Sequence, residues 1–304
     1  MKLDTSIQLG SLRMRNPVTV ASGTFGYGPE YADLVDLNKL GAIVVKGISP
    51  EPVKGNPPPR TVEVASGLIN AIGLQNPGAR GFIETYLPFL RRYDVPVVVN
   101  IWGRTTEDYE HVAEVLGAEE GVAALEVNVS CPNIKEGSCL FGTNPEMFKR
   151  VVSGVRAKTA KPMIVKLAPD LYRVREFAVF AEECGADAVS LINSIPAMAI
   201  DVETRRAKLG NITGGLSGPA IHPIAVKMVW EVAKAVKIPL IAMGGITRAE
   251  DAIEFLLAGA TAVAVGTANF THPATALEVV AGIEAYLARH GLASVRELVG
   301  GFRP

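Results

Sequence analysis

The chain has 304 residues, 48% of them hydrophobic and 20% charged, enough to bury a large core as two ordinary domains or one α/β barrel. Its 30 basic and 31 acidic side chains leave a formal charge of -1, so no overall field attracts nucleic acid or a membrane surface, and a small molecule is the better expectation. The opening stretch, MKLDTSIQLGSLRMRNP, has no apolar core of signal-peptide length, and no segment reaches the roughly 18 apolar residues of a membrane span, which places the protein in the cytoplasm.

In chain order, IQLGSLRMRNP alternates apolar and polar residues around Gly10-Ser11 and predicts a small hairpin placed to plug the bottom of a barrel. Val/Ile-rich runs then alternate with stretches of helical spacing. The runs are 17–22, 42–47, 96–102, 123–130, 162–169, 188–194, 239–245 and 262–268. Nearly continuous apolar runs suit strands buried on both faces, and helices such as REFAVFAEECGA supply the crossovers. Eight strand–helix units predict a (β/α)₈ TIM barrel spanning 1–304 as one domain, with an open doubly wound sheet as the alternative. Between the second and third runs lies a long insertion whose Pro and Gly content forbids one continuous helix, and its apolar pieces predict an ordered excursion over the active-site end.

In such barrels the site lies at the C-terminal ends of the strands. The residues there are Ser22-Gly23, Lys46-Gly47, Asn100, Asn128 with Ser130 and Cys131, Lys166, Asn193-Ser194, Gly244-Gly245 and Gly266-Thr267. Two lysines and three asparagines at one mouth are costly to bury without partners, which points to a polar ligand. The glycines after the seventh and eighth runs stand where barrels hold a phosphate on backbone N–H groups and a short helix N-terminus; chain turning alone is the plainer alternative. A phosphate there would belong to a phosphorylated substrate or a mononucleotide cofactor.

Of Lys46 and Lys166, one would neutralise a substrate carboxylate and the other negative charge developing on an electron-accepting ring, unless each is merely solvated. Asn100, Asn128 and Asn193 offer donors and acceptors suited to a heterocycle, or simply tolerate strand-end backbone angles.

The three cysteines, Cys131, Cys139 and Cys184, lack the count and density of a disulfide scaffold, and the four histidines, His111, His222, His272 and His290, lack ligand spacing, so neither a metal nor an iron–sulfur cluster is expected in this chain. Cys184 reads as packing. Cys131 differs: it follows Asn128 and Ser130 and opens CPNIKEGSCLFGTNPE, a Gly-containing stretch placed to close over a ligand. Its thiolate suits a nucleophile or a general base, and with no histidine placed to activate it a base is preferred. A disulfide between Cys131 and Cys139 is disfavoured in the cytosol.

The motifs ASGTFGYG, VKGIS, GNPPPR, NAIGLQNPG, NVSCPN, VKLAPD, GGLSGPAI, MGGI and AVGTA together resemble class 1 dihydroorotate dehydrogenases across nearly the whole chain. The resemblance implies an FMN-containing barrel that oxidises (S)-dihydroorotate to orotate in pyrimidine biosynthesis. Cys131 would remove the C5 proton while the C6 hydride passes to flavin N5. Lys46, Asn70, Ala71, Ile72, Gly73, Leu74, Asn128, Asn193 and Ser194 would hold the substrate. Ser22, Lys46, Gly47, Asn100, Asn128, Lys166, Ile192, Gly218, Gly244, Gly245, Gly266 and Thr267 would line the FMN.

CPNIKEG and GGLSGPAI look most like the catalytic subunit of the NAD-linked class 1B form, in which two such chains pair with two electron-transfer subunits carrying FAD and a [2Fe–2S] cluster. Competing readings are a fumarate-using class 1A homodimer and a dihydropyrimidine dehydrogenase-like barrel acting on dihydrouracil, which has no carboxylate for Lys46. Further ones are a non-redox barrel lyase or isomerase binding a sugar phosphate, and a non-catalytic scaffold.

Overall fold

The computed structural model describes residues 3–130 and 141–303. The eight apolar runs form β1 (Val18–Val20), β2 (Ile43–Ile48), β3 (Val97–Ile101), β4 (Ala124–Asn128), β5 (Met163–Lys166), β6 (Ala188–Leu191), β7 (Leu240–Met243) and β8 (Ala262–Val265). Neighbours pair in parallel in the order β1-β8-β7-β6-β5-β4-β3-β2. A parallel bridge between Thr19 and Ala42 brings the two ends together, and the Thr19 hydroxyl donates to the Ala42 carbonyl at 2.7 Å across that seam. The sheet is therefore a barrel, and the open doubly wound alternative falls.

Every residue of β3 to β8 is buried, which is why those runs carry no polar alternation. The crossover helices include α1 (Thr106–Ala118), α2 (Pro145–Lys158), α3 (Val174–Glu183), α4 (His222–Ala233), α5 (Ala249–Leu257) and α6 (Thr275–His290). Local chemistry sets their ends. Thr105 and Asp108 form a reciprocal capping box before α1, the Asn144 side chain accepts from two N–H groups at the start of α2, and Gly291 supplies the left-handed residue that stops α6.

The N-terminal hairpin pairs Ile7–Leu9 with Leu12–Met14. Ile7, Leu9, Leu12 and Met14 enter the main core, while Gln8 and Arg13 face outward. Its turn lies against Asp187, one residue ahead of β6, and so at the N-terminal end of the barrel: a Cβ on Gly10 would come within 2.7 Å of that carboxylate.

The insertion after β2 contributes two strands, Thr61–Val64 and Gly67–Asn70, to a second, antiparallel sheet. Its other strands, Ile195–Met198 and Thr213–Ser217, come from an excursion between β6 and α4 that the sequence does not announce. The reason is physical: Ile195–Met198 is an edge strand carrying Pro196 and alternates half-buried with exposed residues, so it lacks the apolar run that marks the barrel strands. Ile69, Ala71 and Leu209 form a small core under this sheet, and Gly214 permits its close approach, since a Cβ there would lie 2.4 Å from the Asn70 carbonyl oxygen.

Candidate active site

The C-terminal ends of the barrel strands and the edge of the small sheet enclose one cavity of about 660 Å³, within the range of about 300–1,000 Å³ usual for small-molecule sites. Of the strand-end residues marked by the sequence, Ser22, Lys46, Gly47, Asn100, Asn128, Lys166, Ile192, Asn193 and Ser194 line it. Gly218, Gly244, Gly245, Gly266 and Thr267 line it from the side of β7 and β8. From the insertion come Asn70, Ile72, Gly73 and Leu74, whereas Ala71 turns into the small core at 1% exposure. Cys131 and Cys139 lie outside the described residues. Cys184 caps the end of α3, half-buried, with its thiol 3.9 Å from the Lys149 carbonyl oxygen.

Two amide networks stiffen the mouth. The Asn128 Oδ1 accepts from the Ser130 hydroxyl at 2.9 Å, and that hydroxyl accepts from Asn193 Nδ2 at 2.7 Å. Asn193 Oδ1 in turn accepts from the Ser194 N–H at 2.8 Å. One level deeper, Glu126 takes the Asn100 Nδ2 at 2.5 Å and the Ser190 hydroxyl at 2.8 Å on its two oxygens. Sequence reasoning missed Glu126, although a glutamate inside the apolar run AALEVNVS was its signal. Asn100 gives its amide N–H to that carboxylate, and its oxygen comes within 2.8 Å of where a Cβ on Gly47 would sit.

The lysines are different. Lys166 is 6% exposed, and its ammonium, like that of Lys46, has neither a hydrogen bond nor an ion pair among the described residues. Burial, reinforced by the nearby Arg60 guanidinium and opposed by Glu30, holds the Lys46 ammonium below the usual lysine range. Arg60 also lines the cavity, tied to the Asn56 and Lys54 carbonyls and to Gln75 Oε1, and its charge meets no carboxylate among the described residues. It sits in the GNPPPR stretch, where the prolines rather than the arginine catch the eye. On the opposite side, the N–H groups of Gly244, Gly245, Gly266 and Thr267 donate to no backbone group among the described residues, and Thr267 Oγ1 donates to Ser217 Oγ at 2.8 Å.

Fold and site together define a (β/α)₈ barrel whose C-terminal mouth is a polar, cationic ligand cavity. Residues 4–287 match the dihydroorotate dehydrogenase family. A protein of Geotalea uraniireducens named dihydroorotate dehydrogenase B (NAD(+)), catalytic subunit, is 55% identical over 299 residues, 98% of either chain. Proteins of the same name from Trichlorobacter lovleyi and Desulforudis audaxviator are each 53% identical over 300 residues, 99% of this chain and 99% and 98% of theirs. The chain belongs to the dihydroorotate dehydrogenase family.

Proposed function

We propose that this chain is the flavin-bearing catalytic chain of an NAD-linked dihydroorotate dehydrogenase, oxidising (S)-dihydroorotate to orotate in pyrimidine biosynthesis. One observation carries the reading: in a member of this family, two ammonium groups and a rim of N–H groups that have no partner among the described residues face a single cavity. A carboxylate substrate and a phosphate-bearing cofactor are the anions that would satisfy them.

The residues present fit FMN. Its phosphate would take the N–H groups of Gly244, Gly245, Gly266 and Thr267, where a Cβ on Gly266 would meet only Ala21 Cβ at 3.6 Å and so leaves room for close approach. Ser22, Gly47, Asn100, Lys166, Ile192 and Gly218 would line the rest. When bound, FMN supplies a two-electron acceptor.

The chain's own residues do the remainder. Lys46, with Arg60 nearby, neutralises the dihydroorotate carboxylate, and the arriving anion offsets the burial and the Arg60 charge that hold its ammonium below the usual lysine range. Asn70, Ile72, Gly73 and Leu74 close the substrate side from the insertion, and Asn128, Asn193 and Ser194 orient the ring through the amide network. Cys131 is assigned the base: its thiolate takes the C5 proton, and departure of the C6 hydrogen with its electron pair leaves the C5–C6 double bond of orotate. Lys166 stabilises negative charge where the electrons arrive.

The relatives' printed name, catalytic subunit of an NAD(+) enzyme, supports a second subunit, to which we assign FAD and [2Fe–2S] in an assembly of two copies of each. Residues 1–304 act as one FMN-binding domain in the cytoplasm; among the described residues no helix is long and apolar enough to cross a membrane.

The test is anaerobic: add dihydroorotate to the purified yellow chain, then offer fumarate and NAD⁺ separately. Bleaching that neither acceptor reverses supports the reading. Reoxidation by fumarate alone makes the chain a self-sufficient homodimer, and absence of bleaching returns the dihydropyrimidine alternative.

A further inference from the structure

His222, the first residue of α4, lies outside the cavity lining but touches its rim. Its Nδ1 is 2.8 Å from the Gly244 carbonyl oxygen and its Nε2 is 2.9 Å from Glu254 Oε2 on α5. The Gly244 carbonyl can only accept, so Nδ1 is the donor on that side. The edge-to-face contact with Phe255, at 4.9 Å between ring centroids, leaves the imidazole little freedom to turn.

The consequence lies in the peptide that joins Gly244 to Gly245. In a trans peptide the carbonyl and the following N–H point opposite ways. A donor that holds the Gly244 carbonyl on the His222 side therefore directs the Gly245 N–H away from His222, towards the cavity that Gly245 lines. Both glycines have positive φ, +142° and +69°, and a Cβ on Gly245 would fall 2.8 Å from His222 Cβ and 2.9 Å from the Gly218 carbonyl oxygen. The turn is thus packed directly on the histidine, with no spare volume between them.

We infer that His222 is a positioning residue for the phosphate end of the cofactor: it locks the Gly244–Gly245 peptide in the orientation that presents an N–H to an anion. The inference rests on the FMN reading above and adds to it a residue with no contact to the ligand. The hydrogen-bond partner on its far side, Glu254, keeps the ring from rotating the donor away, so the pair acts as a clamp on the turn.

The full chain, freed of flavin, is titrated with FMN and with riboflavin, which lacks the phosphate, by quenching of flavin fluorescence. The quantity of interest is the ratio of the two affinities, because a general loss of packing lowers both alike. His222→Phe keeps the ring against Phe255 and removes the donor; the ratio falls about tenfold, the equivalent of one well-placed hydrogen bond. His222→Asn puts an amide N–H where Nδ1 stood and restores the ratio to within about threefold. A ratio unchanged in His222→Phe overturns the clamp, and so does an equal fall in the Phe and Asn variants. If the unmodified chain itself binds riboflavin as tightly as FMN, it is the phosphate site that fails, and the clamp with it.

Discussion

Lys166→Met separates the cost of the site from its use. The side chain is 6% exposed and its ammonium has no partner among the described residues. Taking an ammonium even partly out of water carries a cost, and among the described residues no hydrogen bond or ion pair offsets it. Methionine keeps most of the stem's volume and drops the charge. We expect the flavin-free variant to be more stable by about 2 kcal/mol, a rise of about 4 °C in a thermal melt. The same change removes a charge-assisted contact to bound flavin, and FMN affinity falls by about 30-fold, again about 2 kcal/mol. Melting the stripped chain by calorimetry and titrating it with FMN measures the two signs independently. A stripped variant that melts lower than the unmodified chain would refute the reasoning, because the ammonium would then have been stabilising the empty fold.

Lys46 sets a pH dependence. With its ammonium depressed by burial and then by Arg60, orotate affinity should fall as pH rises through a value below the 10.5 of a free lysine. The unfolded chain holds that proton more tightly, so the same titration adds stability to the free fold as pH rises. Lys46→Gln should bind orotate weakly with no such slope; a spectral titration in which the unmodified chain is flat up to that pH sinks the assignment. Cys131→Ala should bind FMN and orotate normally but bleach about 10²–10⁴ times more slowly with dihydroorotate, as expected for loss of a general base. Bleaching by the unmodified chain should also accelerate with pH across the roughly 6 to 9 window of a thiol, and a level profile would count against the thiolate. Gly215→Ala places a Cβ 1.9 Å from Ser194 Oγ; displacing that hydroxyl should raise KM for dihydroorotate about tenfold, or 1.4 kcal/mol, with flavin content unchanged. Loss of flavin from that variant would show that the small sheet supports the whole cavity rather than its substrate side.

The barrel was legible because burial on both faces leaves a strand nothing but apolar residues, as in PVVVNIW and AVAVGTA. The strand-end residues followed, since fixing the strands fixes which positions reach the mouth. What stayed hidden depended on contacts between distant segments. Asn70 meets Gly215 across 145 positions in the small sheet, and His222 meets Gly244 across 22. Neither leaves a local pattern. Ala71 differs from its neighbours: it stands within a motif whose other members line the cavity, while the strand alternation around Asn70 turns its side chain into the core of the small sheet. Glu126 and Arg60 were visible as charges in apolar or proline-rich surroundings, but only the structure shows that one is satisfied and that the other pairs with no carboxylate among the described residues.

That difference between satisfied and unsatisfied groups is what gives the cavity its direction. Asn193 and Glu126 spend their hydrogen bonds on neighbouring side chains and backbone, so they form a frame whose geometry is fixed before any ligand arrives. Among the described residues, the ammonium groups of Lys46 and Lys166 and the backbone N–H groups of Gly244, Gly245, Gly266 and Thr267 have no partner, and all of these are donors or cations; Asn269 Oδ1 is the one buried acceptor of the lining in the same position. A fold optimised only for stability would not keep a buried and a half-buried ammonium group facing the same space, and their persistence at one mouth is the expected signature of a site shaped for anions. The two sets also lie on different supports. The donors proposed for the phosphate end stand at the ends of β7 and β8, while the proposed substrate side is completed by the insertion after β2, an arrangement that would let one cavity hold two ligands in independent orientations.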